Sequence, residues 1–241
     1  MLTKVNIKSL LEAGVHFGHQ TRKWDPRMAG YIYTKRNDIH IIDLQQTVKQ
    51  IVAACRIVRE TVQAGGDVLF VSTKKQAQDI IAENADVCGV HYVNQRWLGG
   101  MLTNFKTIRS RISYLKKLER MVETGEMDKL GKKERAKRMR ELNNLSRDLQ
   151  GIREMNELPD LVFIIDPGKE KIAVDECAKL GIPVVAITDT NCDPTKIDYV
   201  IAGNDDAIRS IKVIVGYITE AINEAKEATR VIQEKEEVEL N

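Results

Sequence analysis

The sequence lacks the features that would place it in a membrane or among disulfide-bonded secreted proteins. No apolar run in its 241 residues approaches the roughly 20 residues that a membrane span needs. Its four cysteines, Cys55, Cys88, Cys177 and Cys192, lie far apart and form no C-x-x-C pair, so we expect reduced thiols, some of them buried as small apolar side chains. The first residues show no targeting segment. We therefore expect a cytoplasmic protein with no membrane partner.

The sequence also lacks the glycine-rich loops that bind phosphate groups in α/β enzymes. It contains no G-x-G-x-x-G, no G-x-x-x-x-G-K-[ST] and no G-x-S-x-G motif. The turn at residues 72–75 reads Ser-Thr-Lys-Lys, without glycine, and Gly65-Gly66 precedes a predicted strand instead of following it. We therefore expect no enzyme activity, no cofactor and no small-molecule substrate. The alternative is an enzyme or nucleotide-binding protein that uses residues 72–75 and 166–169, which a thermal-shift screen with nucleotides and phosphosugars would reveal.

Charge is unevenly distributed along the chain, although the net charge is only +2. Residues 1–40 carry a net +4, residues 41–103 are neutral, residues 104–150 hold 14 basic and 7 acidic side chains, and residues 151–241 carry a net −9. Such asymmetry indicates a polyanionic partner for the basic parts of the surface, with the acidic part turned away from it.

Short, continuous apolar runs alternate with helical segments over much of the chain. Such runs are typical of strands that are covered on both faces. The runs cover residues 67–72, 161–166 and 183–189, and the helical stretches cover residues 45–63, 74–86, 169–180 and 205–228. Ser72 or Thr73 and Asn204 are candidate N-caps. The alternation predicts an α/β fold with a parallel sheet and helices on both sides.

Residues 104–150 interrupt this alternation with two amphipathic helices. Their apolar residues recur at spacings of three and four, and a turn-like stretch at residues 124–131 separates the two series. The series are Phe105, Ile108, Ile112, Leu115 and Val122, then Leu142, Leu145, Leu149 and Ile152. The pattern predicts an antiparallel coiled-coil hairpin over 104–150, inserted into an α/β domain made of residues 1–103 and 151–228. Residues 229–241 are predicted to form an acidic, flexible tail.

The candidate RNA-binding residues combine cations, amides and tryptophans. Cations neutralise phosphates, and Trp or Arg can stack on exposed bases. They lie in two Trp-Arg segments, residues 21–28 and 94–100, and on the outward faces of the hairpin. The predicted set is Arg22, Lys23, Trp24, Arg27, Arg96, Trp97, Asn104, Lys106, Arg109, Arg111, Lys132, Lys133, Arg135 and Lys137. Either tryptophan could instead anchor core packing, and the hairpin could instead be a solvated surface or a partner helix for another protein.

Two histidines form a weak candidate metal site. His16 and His19 are three residues apart, and a third ligand could come from residues 189–193 or from Asp205 or Asp206. Local hydrogen bonds or contacts with RNA phosphate are the preferred explanation for the two histidines, so we commit to no metal. The aspartates at strand ends, helix starts and turns are expected to cap helices and turns.

Five motifs in the chain resemble the small-subunit ribosomal protein S2 family. They are EAGVHFGHQTRKWDPRM (12–28), NQRWLGGMLTNFKT (94–107), LPDLVFIID (158–166), GIPVVAITDTNCDP (181–194) and GNDDAIR (203–209). The resemblance covers residues 5–225 and fits the bacterial or organellar branch of the family.

The resemblance implies a Rossmann-like domain with an inserted coiled-coil hairpin and a structural role in translation. It implies binding to 16S rRNA at the junction of the head and body of the small subunit. It also implies other small-subunit ribosomal proteins as partners, including the S1 protein, and a location in the ribosome.

Overall fold

Two β-sheets and a set of surrounding helices make up the fold. The computed structural model describes residues 5–239, and side chains as far as residue 231. The helices are α1 (Ile7–Glu12), α2 (Leu44–Gln63), α3 (Gln78–Cys88), α4 (Phe105–Glu123), α5 (Lys132–Leu149), α6 (Lys171–Leu180) and α7 (Ile208–Glu239). The strands are β1 (Phe17–Gln20), β2 (Ile32–Arg36), β3 (Ile39–Ile42), β4 (Val68–Val71), β5 (His91–Val93), β6 (Leu161–Ile165), β7 (Val184–Thr188) and β8 (Tyr199–Ala202).

The larger sheet is parallel and has the strand order β5–β4–β6–β7–β8. Every residue of β4, β6 and β7 is buried, as their continuous apolar runs predict for strands covered on both faces. The predicted fold class, a Rossmann-like parallel sheet flanked by helices, is confirmed. From β4 the chain first adds β5 on one side and then returns to add β6, β7 and β8 on the other side. The boundary between β4 and β6 is therefore the position at which doubly wound proteins place their ligand crevice.

Alternate residues of the central strands point into two separate cores. Phe70 and Phe163 point to one side, where their rings meet edge to face with centroids 5.3 Å apart, under the helices α2, α3 and α7. Leu69 and Ile164 point to the other side, where α4 and α6 cover them. This alternation follows from the two-residue period of a strand.

The helices α4 and α5 pack against each other and against the sheet. Gly125, with φ +71°, and a short 3-10 turn, Glu126–Lys129, join the two helices. Tyr114 on α4 donates a hydrogen bond of 3.0 Å to Glu141 on α5. Ile108 and Leu115 belong to the same apolar core as the sheet, so the base of α4 is anchored in the α/β body. The predicted coiled-coil seam and the domain division at residues 104–150 stay predictions.

The antiparallel sheet near the N-terminus was not predicted. Its strand order is β1–β3–β2, and Asn37 and Asp38, both at positive φ, form the turn between β2 and β3. Four of the five residues of β2 are exposed, because neither face of this strand packs fully against a core. Its sequence therefore lacks the alternation of apolar and polar side chains by which a half-buried strand is recognised. Strands β5 and β8 were also not predicted; they are short and only partly buried, whereas the four residues of β4 are all buried.

The C-terminal helix α7 is longer than predicted. The apolar pattern predicted a helix over residues 205–228, whereas α7 runs from Ile208 to Glu239 and so includes most of the predicted tail. The flexibility of that tail stays a prediction, and its last two residues lie outside the described part of the chain. Over the described residues, no helix combines the length and the apolar character that crossing a membrane requires.

The four cysteines are all buried, and none of them forms a disulfide bond within the described residues. The sequence predicted reduced thiols, with burial for some of them. Burial raises the pKa of the Cys88 thiol to about 11 and that of the Cys177 thiol to about 12. Both thiols are therefore protonated and act as small apolar side chains.

Candidate nucleic-acid interface

Thirteen of the fourteen residues predicted to contact RNA have exposed side chains; the exception is Trp97. They fall into three groups: the start of α5, the loop before α4 together with the first turns of α4, and the segment around residues 22–27. The groups differ in how many of their cations already have an acidic partner within the protein.

The first turns of α5 present lysines without acidic partners. Lys132, Lys133 and Lys137 are exposed, and in the described part of the chain none of them lies within ion-pair distance of a carboxylate. Arg135, the fourth predicted cation of this helix, pairs with Asp128 at 2.9 Å. The three lysines therefore carry charge that only an external anion can neutralise.

Most carboxylates near this helical pair already have cationic partners. The pairs are Glu119–Arg153, Asp128–Arg135, Glu134–Arg138, Asp148–Arg147 and Glu154–Lys116. Each such exposed pair contributes little to stability, about 0–1 kcal/mol. Their effect on the surface is larger, because they remove most of the local negative charge and leave the excess of Lys and Arg facing solvent.

A groove brings the second Trp-Arg segment next to the start of α4. Arg96, Asn104 and Arg111 line it together with Gly99, and its volume is about 310 Å³. Two guanidinium groups and a side-chain amide thus converge on one concave surface. Lys106 and Arg109 lie on α4 beside Asn156; Arg109 donates to the Asn156 carbonyl oxygen at 3.0 Å and keeps its charge unpaired.

Trp97 borders this groove, but most of its ring is buried inside the protein. It is 8% exposed, and its indole Nε1 donates to Glu176 at 3.1 Å. The backbone N–H groups of Gly100, Leu102 and Thr103 donate to the same carboxylate. Of the two readings that the sequence left open for Trp97, the structure therefore favours the packing anchor over the stacking platform.

The segment around residues 22–27 is exposed but partly neutralised. Arg27 bridges Asp25 and Asp193, and Arg22 donates to the Gln20 side chain at 2.9 Å. Lys23 forms no ion pair within the described residues. Burial raises the pKa of Asp206, but nearby cations that include Lys23 outweigh burial and lower it, so Lys23 acts on that carboxylate at longer range. Trp24 is 37% exposed and its ring lies 5.0 Å from that of His40, so one edge is packed while part of the ring remains accessible.

The crevice at the strand ends, where a nucleotide would bind in a doubly wound enzyme, is closed by the protein's own side chains. Thr73 donates to the buried Glu170 through both its N–H and its hydroxyl, each at 2.7 Å. Lys169 donates to the Thr73 carbonyl oxygen from across the crevice. No glycine-rich backbone faces outward here, so the geometry gives no support to the nucleotide-binding alternative.

A buried lysine next to this crevice is surrounded by carboxylates. Lys74 Nζ lies 3.1 Å from Asp166, 2.6 Å from Asp205 and 2.7 Å from Asp206. Burial lowers the pKa of Lys74, but the attraction of these carboxylates outweighs burial and raises it above the ordinary value. Burial and the neighbouring carboxylates raise the pKa of Asp205. The negative charge here would repel a phosphate.

His19 reaches the same cluster from β1. Its Nδ1 is 3.0 Å from Asp189 and its Nε2 is 3.3 Å from Asp206. The hydrogen bond with Asp189 raises the pKa of His19 above its ordinary value, although burial opposes this. Gly18 permits the approach of β1, because a Cβ at that position would lie 2.7 Å from Thr190. His16, its predicted partner, is not part of the cluster; its ring packs on Phe17.

Two groups of side chains in the described region have the proximity that metal ligands require. One consists of His19, Asp205 and Asp206, and the other of Asp166, Cys192 and Asp205. The sequence suggested His19 and the two neighbouring aspartates as weak candidates together with His16, which lies outside both groups, and it gave no role to Lys74. The role of Glu176 was also missed; its one sequence signal was a glutamate on the apolar face of α6, among Ala173, Val174 and Cys177.

Together these features define a Rossmann-like α/β protein with a closed strand-end crevice and a helical surface rich in unpaired cations. The chain matches the family model of Ribosomal protein S2 over residues 10–225, which is most of its length. The chain belongs to the ribosomal protein S2 family. The resemblance seen in its five motifs is thereby confirmed, and with it a structural role in translation as a protein of the small ribosomal subunit.

Proposed function

We propose that this protein binds 16S rRNA in the small ribosomal subunit through the exposed cations of α4, α5 and the loop before α4. It acts as a structural constituent without catalysis. The unpaired lysines at the start of α5 support this proposal most directly, because their charge has no acidic partner in the described structure. Phosphate groups supply the counter-charge, and the release of their counterions drives binding.

The groove beside Arg96 supplies the second part of the proposed surface. Its two guanidinium groups, on Arg96 and Arg111, suit bidentate contacts with phosphate oxygens, and the Asn104 amide can accept or donate a hydrogen bond. The cations of residues 22–27 form a weaker third contact, since Arg27 already bridges two carboxylates.

The family membership supports the more specific parts of the proposal. A location at the junction of the head and body of the small subunit, and the docking of neighbouring proteins including S1, follow from the resemblance of the five motifs. The acidic surface of residues 151–241 is expected to face away from the RNA.

Charge reversal at the start of α5 tests the proposal. The variant Lys132→Glu, Lys133→Glu, Lys137→Glu leaves the ion pair of Arg135 intact, so a loss of function would not reflect a broken contact within the protein. The matched control reverses three exposed lysines of the acidic third of the chain, Lys171, Lys179 and Lys212. Each variant is expressed with the wild-type copy replaced, and its occupancy in purified small subunits is measured by quantitative mass spectrometry.

We expect the α5 variant to be depleted from subunits washed at raised salt, and the control variant to remain. Both should retain the wild-type circular dichroism spectrum and melting temperature, since all six lysines are exposed. Wild-type occupancy of the α5 variant at raised salt would exclude α5 as an RNA contact. Attachment that survives ribonuclease and high salt would instead indicate a protein–protein adaptor.

A further inference from the structure

We propose that His19, Asp205 and Asp206 bind a divalent transition-metal ion, with Zn²⁺ as the best match, and that this ion ties β1 to the start of α7. His19 lies in the N-terminal sheet, whereas the two aspartates lie in the turn that leads into α7. One ligand atom from each of the three residues falls within 4.8 Å of the others. None of its three ligands is among the residues proposed to bind RNA, although Lys23 of the third proposed contact acts electrostatically on Asp206.

The imidazole of His19 has the orientation of a metal ligand. Its Nδ1 faces Asp189 at 3.0 Å, so a hydrogen bond to that buried carboxylate holds the proton on Nδ1 and turns the lone pair of Nε2 toward Asp206. Metal-binding histidines are commonly held in this way by a carboxylate on the opposite nitrogen.

The two aspartates divide their oxygens between Lys74 and the proposed ion. Lys74 Nζ forms ion pairs with Oδ1 of Asp205 at 2.6 Å and with Oδ1 of Asp206 at 2.7 Å. The Oδ2 atom of Asp206 faces His19. Among the described residues, the Oδ2 atom of Asp205 has no hydrogen-bond partner, although this side chain is completely buried. A buried carboxylate oxygen without a donor is costly, and a metal ion would satisfy it.

Spacing and charge favour a small divalent cation. Two ligand atoms about 2.0 Å from a tetrahedral zinc ion lie about 3.3 Å apart, which is the distance of 3.3 Å between His19 Nε2 and Asp206 Oδ2. The four carboxylates of the cluster are those of Asp166, Asp189, Asp205 and Asp206. When Asp205 is ionised and His19 is neutral, they outnumber the one lysine in contact with them by three charges. A divalent ion reduces this excess to one.

The donor set distinguishes between metals and between the two candidate groups. Imidazole with carboxylates suits zinc, whereas Mg²⁺ and Ca²⁺ prefer oxygen ligands alone. The alternative group, Asp166 with Cys192 and Asp205, is less suitable because both oxygens of Asp166 already accept, from Lys74 and from the Lys169 N–H.

Zinc binding is tested on the untagged full-length protein after dialysis against a chelator and then against chelator-free buffer. Isothermal titration with ZnCl₂ and elemental analysis should each give one equivalent. Zinc at about a hundred times its Kd should raise the melting temperature by about 5–10 °C, while MgCl₂ at the same concentration should not.

Variants locate the site. His19→Gln and Asp206→Asn should each abolish stoichiometric zinc, and Asp206 is half-exposed, so its variant is expected to fold. Asp189→Asn replaces the Oδ2 atom that accepts from His19 Nδ1 and retains the Oδ1 atom that accepts from Thr190, so it should weaken binding by about 10–100-fold. His16→Gln is the matched control and should bind as the wild type does. Each variant's fold is checked by circular dichroism without metal.

Failure to reach half an equivalent of zinc in the wild-type protein would overturn the proposal. Binding that persists in folded His19→Gln and Asp206→Asn variants would overturn it too, because the ion would then lie elsewhere. An equal response to Mg²⁺ would overturn the assignment of a transition metal. None of these results bears on the incorporation assay, so this inference and the proposed function fail or succeed separately.

Discussion

Glu176 organises the loop between β5 and α4 through a single buried carboxylate. It accepts hydrogen bonds from the Trp97 indole, from the backbone N–H groups of Gly100, Leu102 and Thr103, and from the Thr103 hydroxyl. Burial raises the pKa of Glu176, but the hydrogen bonds from Thr103 and the other donors outweigh burial and hold its pKa below the ordinary value of a glutamate. The groove proposed to bind RNA is therefore shaped by a residue that does not contact RNA.

Replacing Glu176 tests this role at the scale of one residue. Glu176→Gln substitutes an NH₂ group for one acceptor oxygen and leaves at least one donor unsatisfied, so we expect a loss of about 1–3 kcal/mol in unfolding free energy at pH 7. Because the carboxylate has a lowered pKa when folded, its contribution is present above about pH 4.5 and is lost as the pH falls further.

Urea unfolding of wild type and variant between pH 7 and pH 3 measures this difference. The difference in unfolding free energy between wild type and variant should be constant above pH 5 and should become smaller below it. A gap that does not change with pH would mean that the charge of Glu176 contributes nothing.

At the scale of elements, a close backbone contact joins the end of α5 to the edge of the parallel sheet. Gly151 lies in the 3-10 turn after α5, Gln150–Ile152, and packs against Tyr92 of β5. A Cβ at Gly151 would lie 2.1 Å from the Tyr92 carbonyl oxygen, far inside van der Waals contact. Only glycine lets the helical pair dock at this edge.

Gly151→Ala should therefore destabilise the protein by more than about 2 kcal/mol, because the backbone of β5 or of the turn must move. The matched control is Gly131→Ala at the start of α5, where a Cβ meets no atom within 4 Å. Because Gly131 is the N-cap of α5, where Ala is less favourable than Gly, this control should cost less than about 1 kcal/mol. Thermal unfolding by circular dichroism compares the two; equal melting temperatures would show that the contact with Tyr92 does not constrain the fold.

At the scale of the whole molecule, charge is separated between a basic front and middle and an acidic C-terminal third. Residues 104–150 carry a net +7 and residues 151–241 a net −9. Fixed charge of this kind steers a polyanion toward one face of the protein and repels it from the other. The small net charge of +2 conceals this arrangement.

The salt dependence of binding to a 16S rRNA fragment measures how many cations contact phosphate. The logarithm of affinity should fall linearly with the logarithm of salt concentration. In the α5 triple variant the slope should be shallower by about two to three, since each lost contact removes about 0.7–0.9. The control with Lys171, Lys179 and Lys212 reversed should keep the wild-type slope, and a common slope in both variants would place the contacts outside α5.

Local patterns in the sequence determined the fold class and the family. Continuous apolar runs report burial on both faces of a strand, as in β4, β6 and β7, and motifs such as residues 12–28 and 94–107 report descent. Only the tertiary structure decided that Trp97 is buried against Glu176 and which carboxylates contact His19. Glu176 lies 79 residues from Trp97, and Asp189 is 170 residues from His19, so no local pattern connects them. Such contacts arise when the strand ends converge on one edge of the sheet, where packing of the whole chain sets which side chains meet.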